Sequence, residues 1–326
     1  MALIHGPRRI DVHHHIVPAD YAKLLNDKGE RPGGIDLPSW SPEKSRHVMK
    51  RNGIETAILS VSTPGVWFGD DDEARAWARR VNESAAQVRH DDPEHFGFFA
   101  TLTLPDVDGS IAEAEHALDT LGADGIVLLA NNAGRYLGDP AFDKLLGFLD
   151  ERRAVVFVHP GELPAEPVPG VPTFAADFLL DTTRTALSLI MSGAMQRYPH
   201  IRFILAHAGG FLPYIAYRAV LAQVNAEPKR KQAQLMLRRK HAIETYLEPI
   251  KQFWFDVALS STPAALPSLL EVAAPSRVLY GSDFPFAPAP AVTVMRKEFE
   301  GSDVKRATRR RIDRGNAEAL FPRLAK

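Results

Sequence analysis

The chain has 326 residues, 45% hydrophobic and 24% charged, and its 39 Lys and Arg nearly cancel its 40 Asp and Glu to a net −1. That length and apolar share exclude a mini-protein and wholesale disorder, and the balanced charge argues against nucleic acid as a partner. With no Cys, there are no disulfides, thiolate metal sites or cysteine nucleophiles, so any metal must be held by His and carboxylates.

The opening MALIHGPRRIDV offers only a few apolar residues before two arginines and an aspartate, unlike the charged-then-apolar order of a signal peptide. No apolar run approaches the roughly 18 to 20 residues that cross a bilayer. A cytoplasmic protein without a membrane partner is expected.

Runs rich in Val, Ile, Leu and Phe then alternate with helical-period segments, the pattern of βα units on a parallel sheet buried on both faces. Eight such runs stand out: Arg9–His15 and residues 56–62, 96–104, 125–130, 154–159, 202–207, 253–259 and 278–283. Between them, Ser41-Pro42-Glu43 reads as a capped helix start, with Gly53 beyond its last turn. Asp108 begins another helix and Gly122 ends it. After Asp139-Pro140, the residues Phe142, Leu145, Leu146 and Leu149 fall on one buried helical stripe.

Eight strands predict an α/β fold in which a closed (β/α)₈ TIM barrel forms a single domain over residues 1–326. Such a barrel takes about 250 residues, so the excess goes into long βα loops over its C-terminal face. One is the stretch 161–174, with Pro164, Pro167, Pro169 and Pro172, which is either a stiff lid or an ordinary rim loop. Another stretch, 229–240, carries Lys229, Arg230, Lys231, Arg238, Arg239 and Lys240 beside Leu235, Met236 and Leu237, and reads as a solvated helix with one apolar face.

The chemistry-bearing feature is Asp11-Val12-His13-His14-His15 at the end of the first strand. Side chains two apart on a strand point the same way, so His13 and His15 can share a ligand while His14 faces the other side. Of the 12 histidines, His159 and His207 also close apolar strands, and Asp283 closes the last one. All sit at the carboxyl ends of strands, where barrel enzymes place catalytic groups. Imidazoles with a carboxylate suit Zn²⁺, Fe²⁺ or Mn²⁺. We assign His13, His15, His159 and Asp283 to one metal and His207 to acid/base duty beside it. The fourth strand ends in Val127-Leu128-Leu129-Ala130 with no lysine to bridge a second metal.

In order and across nearly the whole chain, Asp11-x-His13-x-His15, His159-Pro160, His207-Ala208-Gly209-Gly210 and Gly281-Ser282-Asp283-Phe284-Pro285-Phe286 resemble the amidohydrolase superfamily. Within it they resemble the branch of aminocarboxymuconate-semialdehyde decarboxylase and related aromatic acid decarboxylases. The run Asp181-Thr182-Thr183-Arg184-Thr185-Ala186, with Ser192-Gly193-Ala194 and Tyr136-Leu137-Gly138, is similar to the 6-methylsalicylate and γ-resorcylate decarboxylases. The resemblance implies one divalent metal on the same four residues, His207 as catalytic histidine, and no organic cofactor. It also implies that Arg218 reaches a neighbouring subunit's site to bind the substrate carboxylate, hence a homodimer or larger homo-oligomer; a helix-surface arginine is the plain alternative. Some family members begin with Glu-x-His where this chain has His-x-His, which leaves zinc versus manganese open.

The expected function is therefore non-oxidative decarboxylation of a small aromatic carboxylate of the salicylate type. The metal would align the substrate, and Asp283 or His207 would deliver the proton, Asp283 being favoured if burial raises its pKa. Phe174, Phe284 and Phe286 are candidate walls for the ring, or ordinary core aromatics. The same constellation also suits a hydrolase of a lactone, ester or amide, and a third reading is an inactive metal-binding scaffold.

Overall fold

The structure, a computed structural model, describes residues 7–237 and 239–325, so the opening hexapeptide, Arg238 and Lys326 lie outside the described residues. Eight parallel strands follow one another around the sheet: β1 (Arg9–His15), β2 (Ile54–Ser60), β3 (Phe96–Thr101), β4 (Gly125–Leu129), β7 (Val155–His159), β8 (Arg202–Leu205), β9 (Trp254–Asp256) and β10 (Val278–Leu279). The ring closes between β10 and β1, where Val12 N–H donates to Tyr280 O (3.0 Å) and His15 N–H to Phe284 O (2.7 Å). The result is the expected α/β barrel.

The continuous apolar runs are explained by burial on both faces. Ile10, Val12, Ile58, Phe99, Val127, Phe157, Ile204 and Leu279 fill the interior, floored by Ala317, Leu320 and Phe321. Their neighbours Leu59, Phe98, Leu128, Val156 and Leu205 face outward and pack under the helices. Alternation between two hydrophobic environments leaves no polar face to reveal the period.

Helix signals were legible. The helix α2 (Pro42–Asn52), which follows α1 (Ala19–Lys28), is capped by Ser41 Oγ accepting from Lys44 N (3.3 Å) and ends at Gly53 with φ 65°. After α3 (Asp71–Asp91), α4 (Val107–Asp119) starts slightly before the expected Asp108, because Asp106 is the cap and accepts from Gly109 N (3.1 Å). The stripe Phe142, Leu145, Leu146 and Leu149 is fully buried, with Phe142 in a tight turn ahead of α5 (Asp143–Glu151). Each such side chain contributes about 1.5–3 kcal/mol by leaving water.

Several boundaries differ. The third run leaves the sheet at Thr101 rather than 104, and the seventh and eighth pair only over Trp254–Asp256 and Val278–Leu279. Beyond those points the chain remains apolar but turns over the barrel mouth. A small hairpin of β5 (Asn131–Asn132) and β6 (Arg135–Tyr136) was not anticipated. The stretch 161–172 has no regular structure, but Phe174 belongs to α6 (Thr173–Met191) rather than to the loop. After the short α7 (Ala194–Arg197) and α8 (Leu212–Ala226), the basic stretch forms α9 (Lys229–Leu237) and the start of α10 (Arg239–Gln252). Its Lys229, Arg230, Lys231 and Lys240 are exposed and Leu235 is half-buried; the side chains of Met236, Leu237 and Arg239 lie outside the described set. Among the described residues no helix is long and apolar enough to cross a membrane.

Candidate metal centre

The β1 motif works through an irregularity. Asp11 pairs with Ala57 and His14 with Leu59, so three steps on β1 face two on β2 and one extra residue is accommodated. Ile10 and Val12 face the barrel interior, yet so does His13, whose ring meets Phe157 at 4.8 Å. The bulge thus shifts parity between Val12 and His13 and aims His13 and His15 together into the mouth. His14 faces the other way, bonded to Asp11 Oδ2 (3.0 Å) and Ser45 Oγ (3.0 Å), with Trp40 Nε1 donating to the same hydroxyl (2.9 Å).

Barrel closure brings in the carboxylate. Asp283 N–H donates to His13 O (2.8 Å), and Ser282 N–H donates to Asp11 Oδ1 (3.0 Å). Asp283 Oδ1 then lies 3.2 Å from His13 Nε2 and 3.0 Å from His15 Nε2, which are themselves 3.0 Å apart. With His159 from the end of β7, these four buried residues offer ligand atoms that all lie within 4.8 Å of one another.

The donor set fits a metal on the evidence of the opposite ring atoms. His15 Nδ1 faces Ser60 O (3.1 Å) and His159 Nδ1 faces Pro160 O (2.8 Å). A carbonyl only accepts, so both Nδ1 atoms carry the proton and both Nε2 lone pairs are bare. His13 Nδ1 is engaged by Asp256 Oδ2 at 2.9 Å. Bare lone pairs gathered beside a carboxylate at a buried site call for a shared positive charge.

The electrostatics say the same. Burial disfavours a charged His13, but the Asp256 and Asp283 carboxylates outweigh it and hold its pKa up at about 10. Burial lowers His15, and burial with the charges of His15 and His13 holds His159 well below the usual imidazole range. Burial pushes the Asp283 pKa up, but the charge of His13 and the bonds from His13 and His207 outweigh it and hold the carboxylate well below its usual range, so the raised pKa that would favour it as proton donor is not found.

His207 follows β8 in a left-handed turn, with φ 53° at His207, 57° at Ala208, 76° at Gly209 and 65° at Gly210. A Cβ on Gly210 would lie 2.1 Å from Leu179 O, so only glycine permits this path. Asp283 is also left-handed, at φ 63°. Such conformations cost about 1–3 kcal/mol each outside glycine and cluster at functional sites. The turn presents His207 Nε2 at 3.4 Å from Asp283 Oδ2, while its Nδ1 is buried without a partner among the described residues.

The other expected site residues are more dispersed. Phe286 is half-buried and stands edge-on to the His15 ring at 5.4 Å. Phe284 instead meets the ring of outward-facing His14 at 5.2 Å and packs with Val48, Ala287 and Val292. Phe174 is 46% exposed, and Arg218 is exposed on α8; neither belongs to the histidine cluster.

Sequence reading missed Asp256. Its Oδ1 accepts from His207 N (3.2 Å) and Ala258 N (2.8 Å), while its Oδ2 holds His13, so one carboxylate orients two histidines. A lone acid inside the apolar run 253–259 was the available signal. Replacing Asp256 with asparagine is expected to weaken metal binding by about 10- to 100-fold, read by competition with a chelator; unchanged affinity would deny it the orienting role.

Beside the cluster lies a largely apolar cavity over the ends of β2, β3 and β4, lined by Val61, Trp67, Thr101, Leu104, Leu129 and Asn131 among others. Thr101, Leu129 and His159 each lie two residues beyond an interior side chain, Phe99, Val127 or Phe157, so the cavity opens at the level of the histidines. Its wall is fixed by buried Asp181, which accepts from Asn131 Nδ2 (2.9 Å) and Gly161 N (2.9 Å), and whose pKa burial pushes up to about 6.

A barrel with an N₃O cluster at the carboxyl ends of its strands defines a metal-dependent enzyme class. The chain belongs to the amidohydrolase family, whose model matches residues 10–323. It is 38% identical to the 6-methylsalicylic acid decarboxylase of Penicillium expansum, over 97% of this chain and 97% of that protein. An amidohydrolase II crystal structure superposes with a TM-score of 0.86 at 28% identity, covering 96% of this chain and 99% of that one. The 5-carboxyvanillate decarboxylase of Novosphingobium aromaticivorans, solved with manganese and 4-hydroxy-3-methoxy-5-nitrobenzoic acid, shares the fold with a TM-score of 0.82 at 24% identity, covering 99% and 98%.

Proposed function

We propose that this chain is a metal-dependent carboxy-lyase that removes CO₂, without oxidation, from a small aromatic acid of the salicylate type. The observation that carries the reading is the convergence of His13, His15, His159 and Asp283 beside an apolar cavity, in a chain 38% identical to a named decarboxylase. These four residues hold one divalent cation, zinc or manganese, and the reaction needs no organic cofactor. When bound, the cation supplies Lewis-acid polarisation of the substrate carboxylate and an adjacent phenolic oxygen.

The bond that breaks joins the ring carbon to the carboxylate. Its electron pair stays on that carbon, which takes a proton as CO₂ departs. His207 holds this proton at Nε2 and delivers it, oriented against Asp283 Oδ2 at 3.4 Å. Phe286 forms the ring wall nearest the histidines, with Phe284 and Phe174 as supporting walls further out. Arg218 acts in the neighbouring copy of a homodimer, where its guanidinium binds the substrate carboxylate. In support, Arg218 shares an exposed face of α8 with Tyr214, Tyr217 and Leu221, which are 85%, 52% and 62% exposed. We assign the enzyme to the cytoplasm, with the barrel as its single domain.

The test is turnover of 2-hydroxybenzoates by protein loaded with Mn²⁺ or Zn²⁺. Release of CO₂ and a phenol is expected; no CO₂, but hydrolysis of an aryl lactone, ester or amide offered in parallel, would make the chain a hydrolase, and turnover of neither, despite bound metal, a scaffold. Mixed dimers of the Arg218→Ala and His207→Ala variants are expected to recover part of the activity that each variant lacks. No recovery from a confirmed mixed dimer would remove Arg218 from the neighbouring site.

A further inference from the structure

The opposite end of the barrel carries a cavity of its own, where β4, β7 and β8 begin and the C-terminal residues Leu320, Phe321, Pro322 and Arg323 close over them. Val155 at the start of β7 and His159 at its end are about 13 Å apart along the strand, so this floor is separate from the metal centre. Four arginines line it, Arg152, Arg153, Arg202 and Arg323, against two carboxylates, Asp119 and Asp124. Both carboxylates are already engaged. Arg152 Nη2 bonds Asp119 Oδ2 at 3.2 Å, and Arg323 grips Asp124 through Nε and Nη2.

Arg153 and Arg202 are left over. Among the described residues neither has an ion pair, and the one charged neighbour that perturbs Arg202 is Arg153. Arg202 Nη2 donates to the Arg153 carbonyl, which draws the two residues together, and Arg202 Nε is buried with no acceptor. Burial and the charge of Arg153 both depress the Arg202 pKa, the signature of a cation lacking a counter-charge. Arg153 also holds a left-handed backbone at φ 51°, in the turn between α5 and β7. A chain of net charge −1 thus gathers two uncompensated guanidinium groups around one cavity. Guanidinium forks match the tetrahedral oxygens of phosphate, and an anion bound between the two groups would cancel their repulsion.

We propose that this floor cavity binds a small phosphate-type dianion between Arg202 and Arg153, at the end of the barrel away from the chemistry. The site is independent of the decarboxylase reading. Inorganic phosphate is titrated into the metal-loaded full chain against chloride at matched ionic strength, with binding read by calorimetry and the thermal midpoint recorded alongside. Saturable binding is expected, with a midpoint that climbs with the logarithm of phosphate concentration. Arg202→Gln and Arg153→Ala are each expected to lower phosphate affinity by about tenfold or more without changing metal content. In chloride Arg153→Ala should melt no lower than the parent, because it removes a repulsion and leaves the backbone carbonyl that Arg202 bonds in place. Binding that survives both substitutions belongs to the metal centre or an adventitious ion and overturns the proposal, as does the absence of saturable binding. Should Arg202→Gln fail to fold, the exposed Arg153 carries the same test. Glycerol phosphate at the same concentrations separates two supporting results: tighter binding identifies a phosphorylated metabolite as the ligand, and weaker binding identifies free phosphate.

Discussion

Asp283→Asn is expected to lower decarboxylation by about 10³-fold or more and to release much of the metal. The substitution keeps the shape of the side chain and removes its charge, which isolates the electrostatic role. Three of the four converging ligands are imidazoles, so Asp283 supplies the only negative charge among them. His13 and His15 both reach its Oδ1, and His207 reaches its Oδ2. An amide presents at most one acceptor oxygen to that ring of nitrogens, and its NH₂ faces either His207 or the His13 and His15 pair as a competing donor. The pH behaviour gives a second check. Because Asp283 titrates well below the ordinary carboxylate range, acid loss of wild-type activity around neutrality is expected to follow imidazole protonation, not this carboxylate. Metal content by elemental analysis and CO₂ release by rate assay read the two effects. A variant within tenfold of the parent rate and fully metallated would remove Asp283 from the site.

Legibility in the sequence tracked how local the determining physics was. The helix caps at Ser41 and Gly53 and the stripe from Phe142 to Leu149 depend on neighbours in the chain, and both formed as read. The convergence of the quartet was legible for a related reason: in a parallel barrel the carboxyl ends of all strands meet at one face, so His13, His159 and Asp283 come together without knowledge of side-chain contacts. The β1 bulge was not legible. Simple alternation puts His13 and His15 on one face and Val12 on the other, whereas in the structure all three face inward, which depends on an extra residue set by pairing with β2. Asp256 was missed because its importance lies in reaching His13 and His207 from another strand. Nor does the motif Phe284-Pro285-Phe286 say which ring stands nearer the histidine cluster: Phe286 meets His15, while Phe284 packs further out with Val48 and Val292.

His207→Ala is expected to keep the metal and lose about 10²- to 10⁴-fold in turnover, the range that a positioned general acid contributes. The distinction from the other histidines rests on Nδ1. His15 and His159 are locked by carbonyl acceptors and His13 by Asp256, which fixes the tautomer that a ligand needs. Among the described residues His207 has no partner at Nδ1, so its proton is not pinned to one nitrogen, as a group that must give up and regain a proton requires. Its ring stands 4.8 Å from His13, close enough to act beside the cluster without completing the set of four. The left-handed turn and the two glycines that permit it maintain this approach, so activity in the variant is limited by the missing imidazole and not by a collapsed site. Added imidazole, small enough to enter the space left by the side chain, is expected to restore part of the rate in proportion to its protonated fraction. Metal loss in the variant, with no response to imidazole, would make His207 a ligand and transfer the proton step to another group.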